Sequence, residues 1–295
     1  MVRKLKYLVA GLLGLVLFLL VWGLVEPYTL DRETYDVVMP GLAEAWDGER
    51  IGVISDLQVG MWLDNETTVQ RAVALLAEER PAAVLLLGDF VYHPSGEGAV
   101  TTAVDLVRPL PEAGIATFAV LGNHDYTLVQ KGGPPNEEVA RRLVRGLEQA
   151  GVTVLRNEAA AISAGDEAAQ LYIVGVDSYY ANKDRPEEAL ATVPVNAPRV
   201  VMMHHPNTFV RFPPSSAPLG LAGHLHGGQI GLPFTPGWSM LNLFKESEAS
   251  VDGWVETSYG APGNRLYVSR GIGMSLLPLR LGATPEVTIF TLRAP

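Results

Sequence analysis

Two hydrophobic patterns alternate along the chain. Largely apolar runs occupy residues 50–55, 82–87, 115–121 and 199–203, each followed within two residues by Asp, Asn or His. Runs of this length predict strands buried on both faces, the habit of a sheet covered by other layers. Between them lie stretches of helical spacing: Val69, Ala72, Val73 and Leu76, stopped by Pro81; residues 100–107; and Val139, Leu143, Val144 and Leu147, opened by Asn136 and closed by Gly151. Apolar positions four apart share one helix face, and Asn and Gly mark its ends. A weakly alternating stretch at 33–39 predicts an edge strand. Short strands follow at 153–155, 160–163, 171–176, 220–222, 265–269 and 286–292, with a helical turn at 186–190 and a looser Gly-, Pro- and Trp-rich region at 233–263. Strands alternate with helices first and hairpin-like strands dominate later. The prediction is a layered α/β/β/α domain over about residues 30–295, its loops gathered at one rim.

Residues 7–25 carry no charge. As a helix they would span about 28 Å, close to a bilayer's hydrocarbon thickness. Arg3, Lys4 and Lys6 precede this run, and Glu26 and Asp31 follow it. That asymmetry predicts a cytoplasmic N-terminus and a single-pass membrane protein whose catalytic domain is extracytoplasmic. Residues 1–29 therefore read as a cytoplasmic tip and a transmembrane signal anchor. A cleaved signal peptide is the rival, but no small-x-small site precedes Glu26-Pro27.

Composition narrows the chemistry. There is no Cys among the 295 residues, so disulfides and thiolate metal sites are excluded. Without Arg3, Lys4 and Lys6, the chain has 19 basic against 32 acidic residues, a formal charge of −13. Such a domain lacks the basic stripe of a nucleic-acid binder and gains nothing from anionic headgroups.

The polar residues after the buried strands repeat one design: Asp56-Leu57-Gln58, Gly88-Asp89, Gly122-Asn123-His124-Asp125, His204-His205 and Gly223-His224-Leu225-His226. Each is weak alone, but structural roles would not collect Asp, Asn and His at consecutive strand ends. Carboxylates, an amide oxygen and neutral imidazoles suit borderline divalent cations, whereas Mg or Ca alone would prefer more oxygens. Two cations about 4 Å apart can clamp a phosphoryl group and make a bridging water an attacking hydroxide.

In these segments the chain resembles the calcineurin-like metallophosphoesterases, whose pattern runs Asp-x-His, Gly-Asp-x-x-Asp, Gly-Asn-His-Asp/Glu, His and Gly-His-x-His. Residues 225–230, 267–273, 278–280 and Pro285-Glu286 resemble that family's membrane-associated bacterial YkuE-like branch. The resemblance implies a two-metal phosphohydrolase of the metallophosphoesterase sandwich fold. Asp56, Asp89 and His226 would hold the first cation. Asp89, Asn123, His204 and His224 would hold the second, with Asp89 bridging and His204 rather than His205 as ligand. His124 would protonate the leaving oxygen or steady the phosphoryl group, oriented by Asp125. The implied cations are Mn, Fe or Zn, with Co also suitable.

Two positions depart from the pattern. Gln58 stands where the family has a metal-binding His, and Tyr92 where Gly-Asp-x-x-Asp has its last Asp. Purple acid phosphatases, in the same superfamily, resemble this chain in both respects and ligate iron(III) through that Tyr. The expectation is either a phenolate ligand at Tyr92, with Fe(III), or a Tyr that packs beside the site. Gln58 either weakens the first site or binds through its amide oxygen. Arg270 and Arg280 could hold substrate phosphate or sit in salt bridges. Asp177 is placed behind the ligands or in a turn, and His93 in an ordinary loop. Phe209, Phe212, Phe234, Trp238, Leu241, Leu243 and Phe244 could line an acyl-chain groove or pack beneath loops. The substrate is a phosphomonoester, phosphodiester or pyrophosphate, small or lipid-linked. The rival from another class is a metal-binding but catalytically weak receptor or scaffold, kept open by Gln58. Oligomeric state has no signature in the sequence.

Overall fold

The structure, a computed structural model, describes residues 2–92, 97–165, 169–231, 239, 241 and 249–295. An N-terminal helix, α1 (Val2–Val25), precedes two stacked six-stranded sheets. The first contains β1 (Asp31–Val38), β2 (Arg50–Ile54), β3 (Ala83–Leu86), β4 (Ala116–Ala119), β5 (Thr153–Val154) and β12 (Glu286–Arg293), in the order β1-β12-β2-β3-β4-β5. The second contains β6 (Glu158–Ser163), β7 (Gln170–Gly175), β8 (Arg199–Met202), β9 (Leu219–Ala222), β10 (Gly253–Trp254) and β11 (Leu266–Val268), in the order β10-β11-β9-β8-β7-β6.

Side chains alternate across each strand, and that alternation builds the layers. On β3 and the residue after it, Ala83, Leu85 and Leu87 enter the core between the sheets with Leu171, Ile173, Val200, Met202 and Phe290. Val84 and Leu86 face the other way, into the core formed with α2 (Glu66–Glu79), α3 (Glu97–Val107), α4 (Pro109–Glu112) and α5 (Glu137–Gln149). The outer face of the second sheet is covered more thinly, by α6 (Pro186–Leu190) and the 3₁₀ turn Pro206–Arg211. Phe209 and Phe212 are buried there, so they are core residues and not a groove. Phe234, Trp238, Leu243, Phe244 and His93 lie outside the described residues.

The α/β/β/α layering agrees with the sequence, and 33–39 is largely the predicted edge strand, β1. The later strands differ from expectation. β7, β8, β9 and β11 run parallel, and only the flanking β6 and β10 pair antiparallel. Their apolar runs are buried on both faces, the environment in which parallel strands persist. Because β2, β3 and β4 are mutually parallel in one sheet and β8 and β9 in the other, their carboxyl ends open at one rim.

Candidate metal centre

Every ligand segment named from sequence reaches that rim. Asp56 and Gln58 follow β2, Asp89 follows β3, Asn123 follows β4, His204 follows β8, and His224 and His226 follow β9. Asp56, Gln58, Asp89, His224 and His226 all take positive φ, between 49° and 74°. Side chains seldom adopt this left-handed region, and such strain persists where the surroundings demand it. Two glycines give the carboxylates room. A methyl group on Gly122 would overlap Asp89 Oδ1, and one on Gly223 would meet Ser55 and Asp56.

Potential ligand atoms of Asp56, Asp89 and His204 lie within 4.8 Å of one another, as do those of His204, His205 and His224. His204 joins the two groups: its Nε2 is 3.1 Å from Asp89 Oδ2 and 3.9 Å from Asp56 Oδ1. Its Nδ1 lies 2.8 Å from the Leu87 carbonyl, which fixes the proton there and turns Nε2 to the carboxylates. His226 Nε2 is 3.5 Å from Asp56 Oδ1. Asn123 donates through Nδ2 to Leu128 O at 2.8 Å, leaving its buried Oδ1 without a hydrogen bond. Gln58 donates to Asp89 Oδ2 at 2.9 Å, and its buried Oε1 is likewise unbonded.

Those orphaned acceptors show that the residues fit cations. A buried polar atom without a partner costs about 1–3 kcal/mol. Asn123 Oδ1, Gln58 Oε1, His226 Nδ1 and both ring nitrogens of His205 are such atoms, in a centre that also holds the buried Asp56 and Asp89 carboxylates. Imidazoles must be neutral to serve as ligands. Burial, reinforced by neighbouring imidazoles, holds His205 and His224 well below the ordinary value. Burial, partly opposed by Asp56, brings His226 down to about 4. His204 is the exception. Burial lowers it, but the Asp89 carboxylate outweighs that and lifts it to about 9. Asp89 moves oppositely: burial would raise it, and His204 followed by His124 holds it well below the usual carboxylate range.

The expected role of Asp125 changes. Its carboxylate accepts from the backbone N–H groups of Asp89 and Gly122, both at 2.9 Å, and from Phe90 and Val91 at 2.8 and 3.4 Å. It therefore ties the β3 and β4 ends together and does not orient the His124 ring. Burial and then the Asp89 charge push it up to about 7, against the pull of those amides. The His124 ring is set instead by the Tyr92 carbonyl, 2.7 Å from Nδ1.

Tyr92 stacks on His124 with ring centroids 5.0 Å apart, and its hydroxyl accepts from Leu276 N–H at 3.3 Å. Of the two alternatives for Tyr92, ligation or packing beside the site, these contacts are those of packing. Arg270 lies in an ion-pair cluster, meeting Glu33 at 3.0 Å, Glu286 at 3.1 Å and Asp31 at 3.4 Å, the salt-bridge arrangement weighed against a substrate role. Arg280 is fully buried against the carbonyls of Gly273, Ala283 and Arg270. Asp177 accepts from the Tyr126 hydroxyl and Arg156, bracing the segment that carries His124 from behind.

Two residues, Tyr180 and Gln229, were given no role by the sequence reading, and a third, His205, was set aside there in favour of His204. His205 stacks on Tyr180 at 4.4 Å, while Tyr180 meets the edge of His224 at 5.0 Å and lines the pocket. Gln229 bonds Ser275 and Leu277, holding the opposite rim. His205 had a signal, the His-His pair; Tyr180 sits in a loop with none.

A family model described as calcineurin-like phosphoesterase matches residues 49–229. The chain is 26% identical over 274 residues to the uncharacterized metallophosphoesterase YkuE of Bacillus subtilis, covering 91% of this chain and 87% of that one. It is 33% identical over 230 residues to the phosphodiesterase YaeI of Escherichia coli, covering 76% and 75%. A transmembrane protein with metallophosphoesterase domain from Bos taurus is 26% identical over 275 residues, covering 88% of this chain and 56% of that one.

Proposed function

The chain belongs to the calcineurin-like phosphoesterase family, and from that premise we propose that it is a membrane-anchored, two-metal phosphohydrolase. It is a metal-dependent hydrolase by family. The finer reading rests above all on the unbonded acceptors Asn123 Oδ1 and Gln58 Oε1, buried beside Asp56 and Asp89. Asp56, Asp89, His226 and Gln58 Oε1 would hold one cation; Asp89, Asn123, His204 and His224 would hold the other. Mn, Fe or Zn bound there would supply the positive charge that clamps a phosphoryl group and makes water nucleophilic.

The protein's own groups do the rest. Asp89 would offer its carboxylate to both cations, since a neutral ligand would not offset two positive charges. His124 keeps its Nδ1 proton on the Tyr92 carbonyl and faces the pocket. In its protonated form it donates from Nε2 to the departing ester oxygen. Water, giving up one proton to solvent, would form the new P–O bond as the old ester P–O bond breaks; the alcohol leaves with the proton from His124, which solvent then restores. The relative named a phosphodiesterase brings diesters into the range, beside monoesters and pyrophosphates.

Residues 1–29 are the anchor and 30–295 the catalytic domain. α1 is exposed along nearly its whole length, and the basic residues before it favour a single pass with the catalytic domain outside the cytoplasm. A fluorescent reporter at the C-terminus tests this; cytoplasmic-type fluorescence reverses the topology. Purified protein should hydrolyse p-nitrophenyl phosphate or its bis ester when Mn, Fe or Zn is added, and Asn123→Ala should not. Silence of the native protein with every cation would favour the metal-binding scaffold, the reading that Gln58 in place of His keeps open.

A further inference from the structure

We infer that the pocket opens at the headgroup plane of the membrane and that its substrates are amphiphilic phosphoesters, with the phosphoryl group at the lipid–water boundary. This rests on the reading of an anchored phosphohydrolase.

The membrane helix is joined to the rim of the site without a flexible linker. In its last turn Gly23 is buried, its carbonyl accepts from Arg280 N at 2.9 Å, and Leu279 packs against it. Glu26, one residue past the helix, is buried and accepts from Gly282 N at 3.0 Å and Ala283 N at 2.7 Å. On the other side, Pro27 and Tyr28 carbonyls accept from Thr68 at 3.0 Å and Arg71 at 2.6 Å, both on α2. The exit of α1 is therefore clamped between α2 and the 279–284 segment.

The residues just before that second segment line the pocket mouth. Ser275 and Leu276 line the pocket. Leu276 is three residues from Leu279, and three residues reach at most about 11 Å. The mouth is thus within about 11 Å of chain from a contact on the last turn of a membrane helix. A headgroup layer is roughly 5–8 Å deep on each side of the bilayer. The site cannot stand far above the lipid surface.

Exposed apolar side chains flank both clamping segments. Leu276 and Leu277 are 58% and 43% exposed, and Trp62, in the loop leading into α2, is 69% exposed. Apolar and Trp side chains beside a membrane helix suit the interfacial layer. With a formal charge of −13, the soluble part would be held there by insertion and not by attraction to anionic lipid. The pocket has matching polarity. Asp89, Asn123 and His124 are among its polar lining residues, and Val129, Leu241 and Leu276 add apolar surface for the remainder of an amphiphile.

The test uses the full chain, loaded with cation, in phosphatidylcholine nanodiscs. Phosphatidic acid and phosphatidylglycerol are compared with glycerol 3-phosphate and glycerophosphoglycerol, and bis(p-nitrophenyl) phosphate reports basal turnover. At least one amphiphile should exceed its water-soluble counterpart about tenfold in kcat/KM. Leu277→Asp and Trp62→Ser should cut amphiphile turnover about tenfold and leave the bis ester within twofold. Equal rates for amphiphile and counterpart, or indifference to both substitutions, overturn the inference. Because the chain has no Cys, Leu277→Cys gives a unique nitroxide site. The label should be more accessible to oxygen than to a water-soluble nickel chelate; the reverse overturns the inference without any reference to catalysis. An immersed label with every ester untouched would sink the phosphohydrolase and leave the membrane placement standing.

Discussion

The Nε2 of His204 lies 3.1 Å from Oδ2 of Asp89, both side chains fully enclosed. Without cations that contact holds a proton, since Asp89 overcomes the effect of burial and raises His204 to about 9. A cation seated on Nε2 must displace it. Proton and metal compete, so affinity for Zn or Mn should rise with pH up to about 9, by roughly tenfold per unit for one proton displaced, and level off above. Titration calorimetry at pH 7 in buffers of different ionisation enthalpy should show proton release on binding. Binding that releases none would disprove the competition.

Asp125 receives four backbone N–H groups from the ends of β3 and β4. Asp125→Asn replaces an acceptor with an amide whose NH₂ faces donors. Hydrogen bonds to a charged group contribute about 1.5–3 kcal/mol. The variant should lose about 3 kcal/mol of stability and bind cations poorly, because the segments carrying Asp89 and Asn123 lose their tie. An unchanged denaturant midpoint, measured with chelator present, would contradict this.

His205 has both ring nitrogens buried without hydrogen bonds, and a ligand atom within 4.8 Å of those of His204 and His224. A third imidazole favours nitrogen-preferring cations. His205→Asn should weaken Zn affinity about tenfold and barely change Mn affinity, as read by competition with a chromophoric chelator. Equal losses for both would assign His205 a packing role.

Gln58 and Tyr92 can be separated by metal analysis. Gln58 presents an unbonded amide oxygen beside Asp89, while the Tyr92 hydroxyl meets Leu276. Gln58→Ala should leave about one cation per chain where the native protein holds two, and Tyr92→Phe should retain both. A visible charge-transfer band in iron-loaded protein, lost in Tyr92→Phe, would restore the phenolate ligand.

Much of the centre was legible in the sequence because its logic is local. An apolar run long enough to cross a covered sheet must end at a rim, and residues 55–58, 88–89, 122–125, 204–205 and 223–226 stand at such ends. Periodicity therefore predicted the layers and gathered Asp56, Asp89, Asn123, His204, His224 and His226 without any contact being known. What a side chain meets across the fold is a different quantity. Arg270 is drawn to Glu33 and Glu286, Asp125 to amides of the neighbouring strand end, and Tyr92 to Leu276. Those partners depend on register and side-chain direction, which spacing along the chain does not encode. The same holds for α1. Composition alone marked a helix able to span a membrane, but only the tertiary structure joined Glu26 to Gly282 and Ala283, bringing the helix exit beside the mouth of the pocket.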